Sequence, residues 1–399
     1  MTLAALIILL AFAAYSLFSK SIARSVVTLP ILFTALGLLL SDRLNAALPA
    51  ALIYDGKKIL AEVTLVLVLF SDASHVRFNK LKTDWQLPAR MLVIGLPLTV
   101  ALGTAVAYWL HPASGWAMAL FTAAVLTPTD AALGQTVVTS DKVPGHLGQT
   151  INIESGLNDG LALPFVLFGA VLASTSATGL ETTTGLALEA LQQVTLGPLV
   201  GITVGWSAAR AMDWTKAQDT MNQAGGAVVF LCTAFIAYVL AALVGGNGFI
   251  AAFVAGMVFG NSFQHNIRTI STFMDSEGQL LTMAAFLMFG AFLLPAGLAY
   301  ATPGTLLLSV LFLTVVRMLP IFLSLAGTGL PLREKLFLGW FGPRGIASIL
   351  FTLLMIDQFD FPKEEAFLAT VSLTVGLSIL LHGLTASPLT QQIGKPKPR

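Results

Sequence analysis

Apolar residues in this chain fall into long runs separated by short connectors rich in proline, glycine and charge. A helix needs about 20 such residues to cross the ~30 Å hydrocarbon layer of a bilayer, because each residue advances it only ~1.5 Å. By that measure the pattern predicts an all-α polytopic membrane protein of about thirteen spans. They run approximately 2–18, 26–40, 57–76, 91–110, 115–138, 147–173, 185–209, 225–244, 247–260, 279–299, 303–326, 336–356 and 365–385. The connectors carry the expected punctuation: Leu87-Pro88, His111-Pro112, Gly245-Gly246, Thr302-Pro303-Gly304 and Phe361-Pro362. Spans 2 and 9 are short, which leaves a tilted, broken or re-entrant course open for either.

Composition agrees. Hydrophobic residues make up 56% of 399, against 21 basic and 20 acidic ones. Soluble domains carry about 25% charged residues, so a single soluble core is excluded. A net charge of +1 without a basic block gives no footprint for nucleic acid. The lone Cys232 excludes an internal disulfide framework or a cysteine-rich metal site. No positive stretch precedes the run Thr2 to Phe18, so it reads as a retained span and not a cleaved signal. Residues 391–399 read as a short cytoplasmic tail.

Charge then orients the chain. With the N-terminus outside, fifteen Lys and Arg face inward, against Arg43, Lys57, Lys58 and Lys363 outward. That asymmetry predicts N-out, C-in. The odd span count makes spans 1–6 and 8–13 an inverted pair. This divides the chain into a first repeat of about 1–175, a linker helix of about 185–210 and a second repeat of about 225–385. The fifth members, spans 5 and 12, each hold an internal proline: Thr127-Pro128-Thr129-Asp130 and Gly342-Pro343-Arg344-Gly345. Proline removes a backbone donor and obstructs the preceding turn, and breaks at matching places in two halves mark transporter binding sites.

Charges within spans need a reason, since each costs at least ~2.5 kcal/mol at the bilayer centre on insertion scales. Asp130, Glu154, Asp159, Arg317 and Arg344 are in that position. In Glu154-Ser155-Gly156-Leu157-Asn158-Asp159-Gly160, the i,i+4 pairs Glu154/Asn158 and Ser155/Asp159 share neighbouring helix stripes. Gly156 and Gly160 admit another backbone, and the broken span 5 offers Thr127 and Thr129 hydroxyls and freed carbonyls. Such oxygens suit a hard cation, not zinc. Glu154 reads as half of a structural ion pair. Asp159 reads as a carboxylate that holds either a proton or a cation.

These motifs, with Gly245-Gly246-Asn247-Gly248-Phe249-Ile250-Ala251-Ala252-Phe253-Val254-Ala255-Gly256, resemble the monovalent cation/proton antiporters of the sodium/proton exchanger kind, particularly their prokaryotic NhaP-like members. The resemblance covers essentially the whole chain. It implies that Asp159 binds the ion and carries the proton, and that Asp130, Thr129 and Ser155 are further ligands. Asn158 occupies the place where electrogenic relatives have a second aspartate. The resemblance also implies that Glu154 pairs with Arg317 to steady Asn158, and that Arg344 offsets carbonyl dipoles between the broken helices. It implies a homodimer in a prokaryotic inner membrane with no cofactor. The substrates would be H⁺ and Na⁺, Li⁺ or K⁺, with Na⁺ held at Asp159 and Asp130. Many relatives carry a span 3 glutamate near the ion path, where this chain has Phe70-Ser71-Asp72-Ala73-Ser74. Asp72 is either an accessory acid or a group at the inner water interface, and the interface reading is preferred.

The remaining groups read as bland. Glu62 and Glu189 fall near helix starts, and His75, His111, His146 and His265 fall in or beside loops. His382 is read as lying near the last span's inner end. The resulting expectation is an electroneutral one-for-one cation/proton antiporter and not an enzyme. The alternatives are a K⁺/H⁺ antiporter of the same fold, an uncoupled cation channel, or an intramembrane aspartyl protease using Asp130 and Asp159. Against the protease, neither Asp lies in a Tyr-Asp or Gly-x-Gly-Asp context.

Overall fold

The computed structural model describes residues 2–22, 27–47, 49–76, 85–138, 140–175, 180–265, 268–361 and 363–394. Arg24, Arg77, Lys80, Lys82, Lys395, Lys397 and Arg399, all counted in the inward charge excess, lie outside the described residues. Among the described residues there is helix and connector and no strand. The first half contains α1 (Thr2–Ile22), α2 (Leu29–Ala47), α3 (Ala50–His75), α4 (Gln86–Leu110), α5 (Gly115–Val125), α6 (Ala131–Val138) and α7 (Gly145–Thr175). Next come α8 (Leu180–Ala217), α9 (Gln223–Leu243) and α10 (Gly248–Ser262). The rest are α11 (268–299, with a π-turn at Phe289–Leu293), α12 (Pro303–Ser324), α13 (Leu332–Trp340), α14 (Ile346–Gln358) and α15 (Glu364–Ile393).

Each expected span coincides with one helix or, for spans 5 and 12, with a pair. Seven helices are long and apolar enough to cross a membrane by length and composition. Spans 2 and 9, for which a broken course was open, are the unbroken helices α2 and α10. In α10 the reason is local. The Asn247 side chain accepts from the Phe249 and Ile250 amides at 3.0 and 3.1 Å, giving the short helix a satisfied start.

Small residues set the closest packing. Gly197, Gly201 and Gly205 on α8 bring its backbone against Asn247, Ala251 and Ala255 of α10. On the other side of α10, Gly256 and Gly260 meet the carbonyls of Phe70 and Ser74 on α3. Small residues four apart let helices approach where lipid supplies no hydrophobic drive. α9 covers α8 and α10, and α11 packs on α2 and α3. A second bundle groups α4, α5, α7 and α12, with α13 on α12 and α15 against α6 and α12. α3 also touches α7 and α14. Its first turns are tied to the end of α14 by Lys58 Nζ on Asp357 Oδ2 at 2.6 Å and by the Tyr54 hydroxyl donating to Asp357 Oδ1.

Prolines 164, 198, 320 and 388 all sit inside helices. At Pro128 and Pro343 the chain instead unwinds, because the two unwound stretches cross and serve each other. The Asp130 amide donates to the Pro343 carbonyl at 2.7 Å, and Ser348 Oγ donates to the Val125 carbonyl at 2.8 Å. Backbone groups freed by a break in a membrane persist only where such partners exist.

Candidate functional site

The crossing brings the ends of α5 and α13 and the starts of α6 and α14 together. A helix C-terminus carries partial negative charge and an N-terminus partial positive charge. Arg344 is fully buried, and its Nη1 donates to the carbonyls of Thr127 and, at 3.1 Å, Pro128, just past the end of α5. Asp130 does the converse. Its Oδ2 accepts the Ile346 amide at 2.8 Å, at the first turn of α14. Each break therefore supplies the charge that the other break's helix end lacks.

α7 presents its polar stripe to this crossing. Glu154, Ser155, Asn158 and Asp159 are all buried. Arg317 reaches Glu154 from α12 with two bonds, Nη1 to Oε1 at 2.8 Å and Nη2 to Oε2 at 3.2 Å. A kink at Thr314, whose ψ of −92° interrupts α12 one turn earlier, precedes that reach. The Thr129 hydroxyl donates to Glu154 Oε2 at 3.2 Å, and Ser155 Oγ donates to the Thr129 carbonyl at 2.8 Å. Asn158 Nδ2 donates to Thr129 Oγ1 and to Glu154 Oε1, the latter at 3.2 Å.

Two oxygens stand apart from this network. Asn158 Oδ1 and Asp159 Oδ1 are buried without a hydrogen-bond partner among the described residues. A buried acceptor left bare costs about 1–3 kcal/mol, more for a charged group, so unpaired acceptors on adjacent residues mark a place for a donor or a cation. Glu154 has Arg317, and Asp130 has the α14 amide. Asp159 Oδ1 has neither, and that distinguishes Asp159 chemically from the other acids.

Asp72 is half-buried on the last turns of α3, with its Cβ 3.8 Å from where a Gly156 Cβ would stand. Its backbone and Cβ border the α7 stripe. Glu62 is half-buried and Glu189 exposed, both away from the crossing. His75, His146 and His265 are exposed. His146 faces Glu334 at 3.1 Å and His265 faces Asp213 at 2.9 Å. His111, beyond the end of α4, is half-buried, and that desolvation pushes its imidazole below the usual range.

His382, passed over in the sequence, is enclosed in the structure. α15 runs on to Ile393, so His382 lies well inside the helix and is 1% exposed. Sequence reasoning also passed over Ser348 and Ser378, whose hydroxyls serve the breaks, while Gly342 and Gly345 of the second motif have missing side chains that make room for Arg317 and Asp130. The signal for Ser378 and His382 was their i,i+4 spacing on an apolar helix.

Residues 5–392 match the family model described as sodium/hydrogen exchanger, transmembrane. The K(+)/H(+) antiporter NhaP of Alkalimonas amylolytica is 23% identical over 346 residues, covering 86% of this chain and 58% of that protein. The K(+)/H(+) antiporter NhaP2 of Shewanella oneidensis is 23% identical over 394 residues, 96% of this chain and 66% of that one. The chain thus spans about three fifths of the length of the curated relatives it matches. Among solved structures, the sodium proton antiporter MjNhaP1 from Methanocaldococcus jannaschii superimposes with a TM-score of 0.76 at 18% identity, covering 97% of this chain and 99% of that one. At that identity the likeness concerns the fold.

Proposed function

Because the chain belongs to the sodium/hydrogen exchanger family, we propose that it exchanges a monovalent cation for protons across a membrane, with cation and proton competing for Asp159. The observation that carries this reading is the pair of bare, buried acceptors, Asn158 Oδ1 and Asp159 Oδ1, beside acids that already have partners. A carboxylate buried without a fixed counter-charge holds a proton or a cation and not both. Only one acid has to swap its partner, and Asn158 is neutral throughout. The cycle is therefore electroneutral, one cation for one proton.

Thr129 and Asn158 form the wall beside Asp159. Glu154 and Arg317 hold Asn158, and Arg344 and Asp130 neutralise the helix ends. Asp72 is an accessory acid at the mouth of this wall. The membrane arrangement is N-out and C-in, in a prokaryotic inner membrane and as a homodimer. Of the cations we favour Na⁺. K⁺ is the second reading, because the curated relatives named above are K(+)/H(+) antiporters.

Proteoliposomes with a pH dye inside and an imposed outward proton gradient test this directly. Addition of Na⁺, Li⁺ or K⁺ outside should alkalinise the lumen irrespective of membrane potential, and Asp159→Asn should abolish the response. A wild type that moves no protons with any of the three ions would sink the reading. Movement of cation without protons would bring the channel alternative forward.

A further inference from the structure

A buried histidine on an apolar helix ordinarily fills space with its polar atoms satisfied locally. The imidazole of His382 does more, because its partners belong to the broken span and not to α15 alone. His382 Nε2 lies 2.9 Å from the Trp340 carbonyl, at the last residue of α13. Its Nδ1 lies 3.2 Å from Ser378 Oγ, and that hydroxyl accepts the Arg344 amide at 2.7 Å. The ring also stacks on Trp340 with centroids 4.9 Å apart, and Trp340 Nε1 donates to Thr385 Oγ1 at 3.0 Å. α15 thus grips the unwound stretch on both sides of Pro343.

One arrangement of protons satisfies the Arg344 backbone amide, the Ser378 hydroxyl and the imidazole together. The Arg344 N–H enters Ser378 Oγ, the hydroxyl proton points to His382 Nδ1, and Nε2–H points to the Trp340 carbonyl. Nδ1 also lies 3.0 Å from the Ser378 carbonyl, but a carbonyl only accepts, and in this tautomer Nδ1 has no proton to give it. The chain then continues into the site. Arg344 Nη1 holds the carbonyls of Thr127 and Pro128, and the next residue, Thr129, receives Asn158 Nδ2 on its hydroxyl and Ser155 Oγ on its carbonyl.

We propose that His382 is a positioning residue for the cation site, acting through Ser378 and Arg344 on the unwound segment that carries Thr129. The inference rests on the exchange reading for the meaning of the site, but its geometry is independent of it. The linkage places each oxygen of the wall relative to Asp159, and binding sites lose affinity when such supports are loosened by half an ångström or so. Loss of His382 therefore alters affinity for the cation more than the maximal rate.

The test measures cation binding to detergent-purified protein by calorimetry, with Na⁺ and with K⁺, alongside exchange in proteoliposomes. His382→Ala and Ser378→Ala should each weaken cation binding and raise the apparent KM about fivefold, the equivalent of one hydrogen bond, with a smaller change in maximal rate. The double variant should be no worse than the more severe single one, because the two residues form one chain. His382→Gln, whose amide can still donate to the Trp340 carbonyl, should recover most of the affinity. Wild-type affinity in both alanine variants, with only a lower thermal midpoint, would overturn the proposal. Strictly additive losses would overturn it as well. Should His382→Ala not fold, Ser378→Ala carries the same readout with one atom removed. A wild type that binds cation without exchanging it defeats the transport reading, while the affinity series still decides this one. A wild type that binds neither ion overturns both.

Discussion

Gly342 stands so close to Arg317 that a Cβ at this position would overlap the guanidinium. The glycine before Pro343 is therefore required by an arginine 25 positions earlier in the sequence, on α12, and not by backbone conformation. Gly342→Ala should displace Arg317 from Glu154. Breaking a buried ion pair by disturbing one partner costs about 3–5 kcal/mol, so the thermal midpoint should fall by many degrees. Gly339→Ala is the control. Its added Cβ would lie 3.6 Å from Met318, an ordinary contact, and its midpoint should match the wild type.

The acids of α7 should separate by stability as well as by transport. Glu154→Gln leaves Arg317 buried without its counter-charge and should destabilise the protein by about 3–5 kcal/mol. Asp159→Asn removes a charge that has no fixed partner. Its thermal midpoint should equal or exceed that of the wild type while cation-driven proton movement disappears. Melting curves of purified variants, set beside dye-loaded vesicles, check both halves. Equal destabilisation by the two substitutions would contradict the division of roles.

The proposed competition for one carboxylate would set the pH dependence. Below the pH at which Asp159 gives up its proton, every unit of acidification should raise the apparent cation KM about tenfold, because one proton must leave for one cation to enter. At alkaline pH the apparent KM should become constant while the rate falls for want of protons to return. Initial rates across a pH series at several cation concentrations give the slope, and a slope near two would require a second exchanging acid.

Asp130 offers a sharper distinction. Asp130→Asn keeps an oxygen for the Ile346 amide but removes the charge facing the N-terminal end of α14. A helix-end charge contributes about 0.3–2 kcal/mol, so a modest drop in midpoint with transport retained is expected. Loss of cation binding without any change in midpoint would make Asp130 a ligand in the first place and a helix cap only in the second.

Much of this arrangement was legible in the sequence because lipid imposes simple requirements. Spans had to be apolar and about twenty residues long, so α4, α9 and α12 could be located closely. Intramembrane charges had to be compensated, so Glu154 read as half of an ion pair, and it was the family resemblance that implied Arg317 as the other half. What could not be read was the identity of acceptors and donors on remote backbones. Nothing in the local sequence tells that Arg344 would reach the carbonyls of Thr127 and Pro128, or that Asp130 would spend an oxygen on Ile346. The burial of His382 was missed for a related reason. Apolarity alone set the end of the last span at 385, whereas α15 continues through the polar stretch Thr390-Gln391-Gln392 to Ile393. Length alone left a broken course open for spans 2 and 9, and the capping by Asn247 shows how a short helix can still be regular.

The crossing of residues 126–130 with 341–345 has a consequence for how this protein can change over generations. The two stretches lie more than two hundred positions apart on the chain, yet each supplies the charge, carbonyl or amide that the other lacks. They form one heritable module written in two places. A chimera that takes only the first half from a distant relative inherits one side of that module and must match the other by luck. Drift at either stretch is admissible only when its counterpart drifts in step.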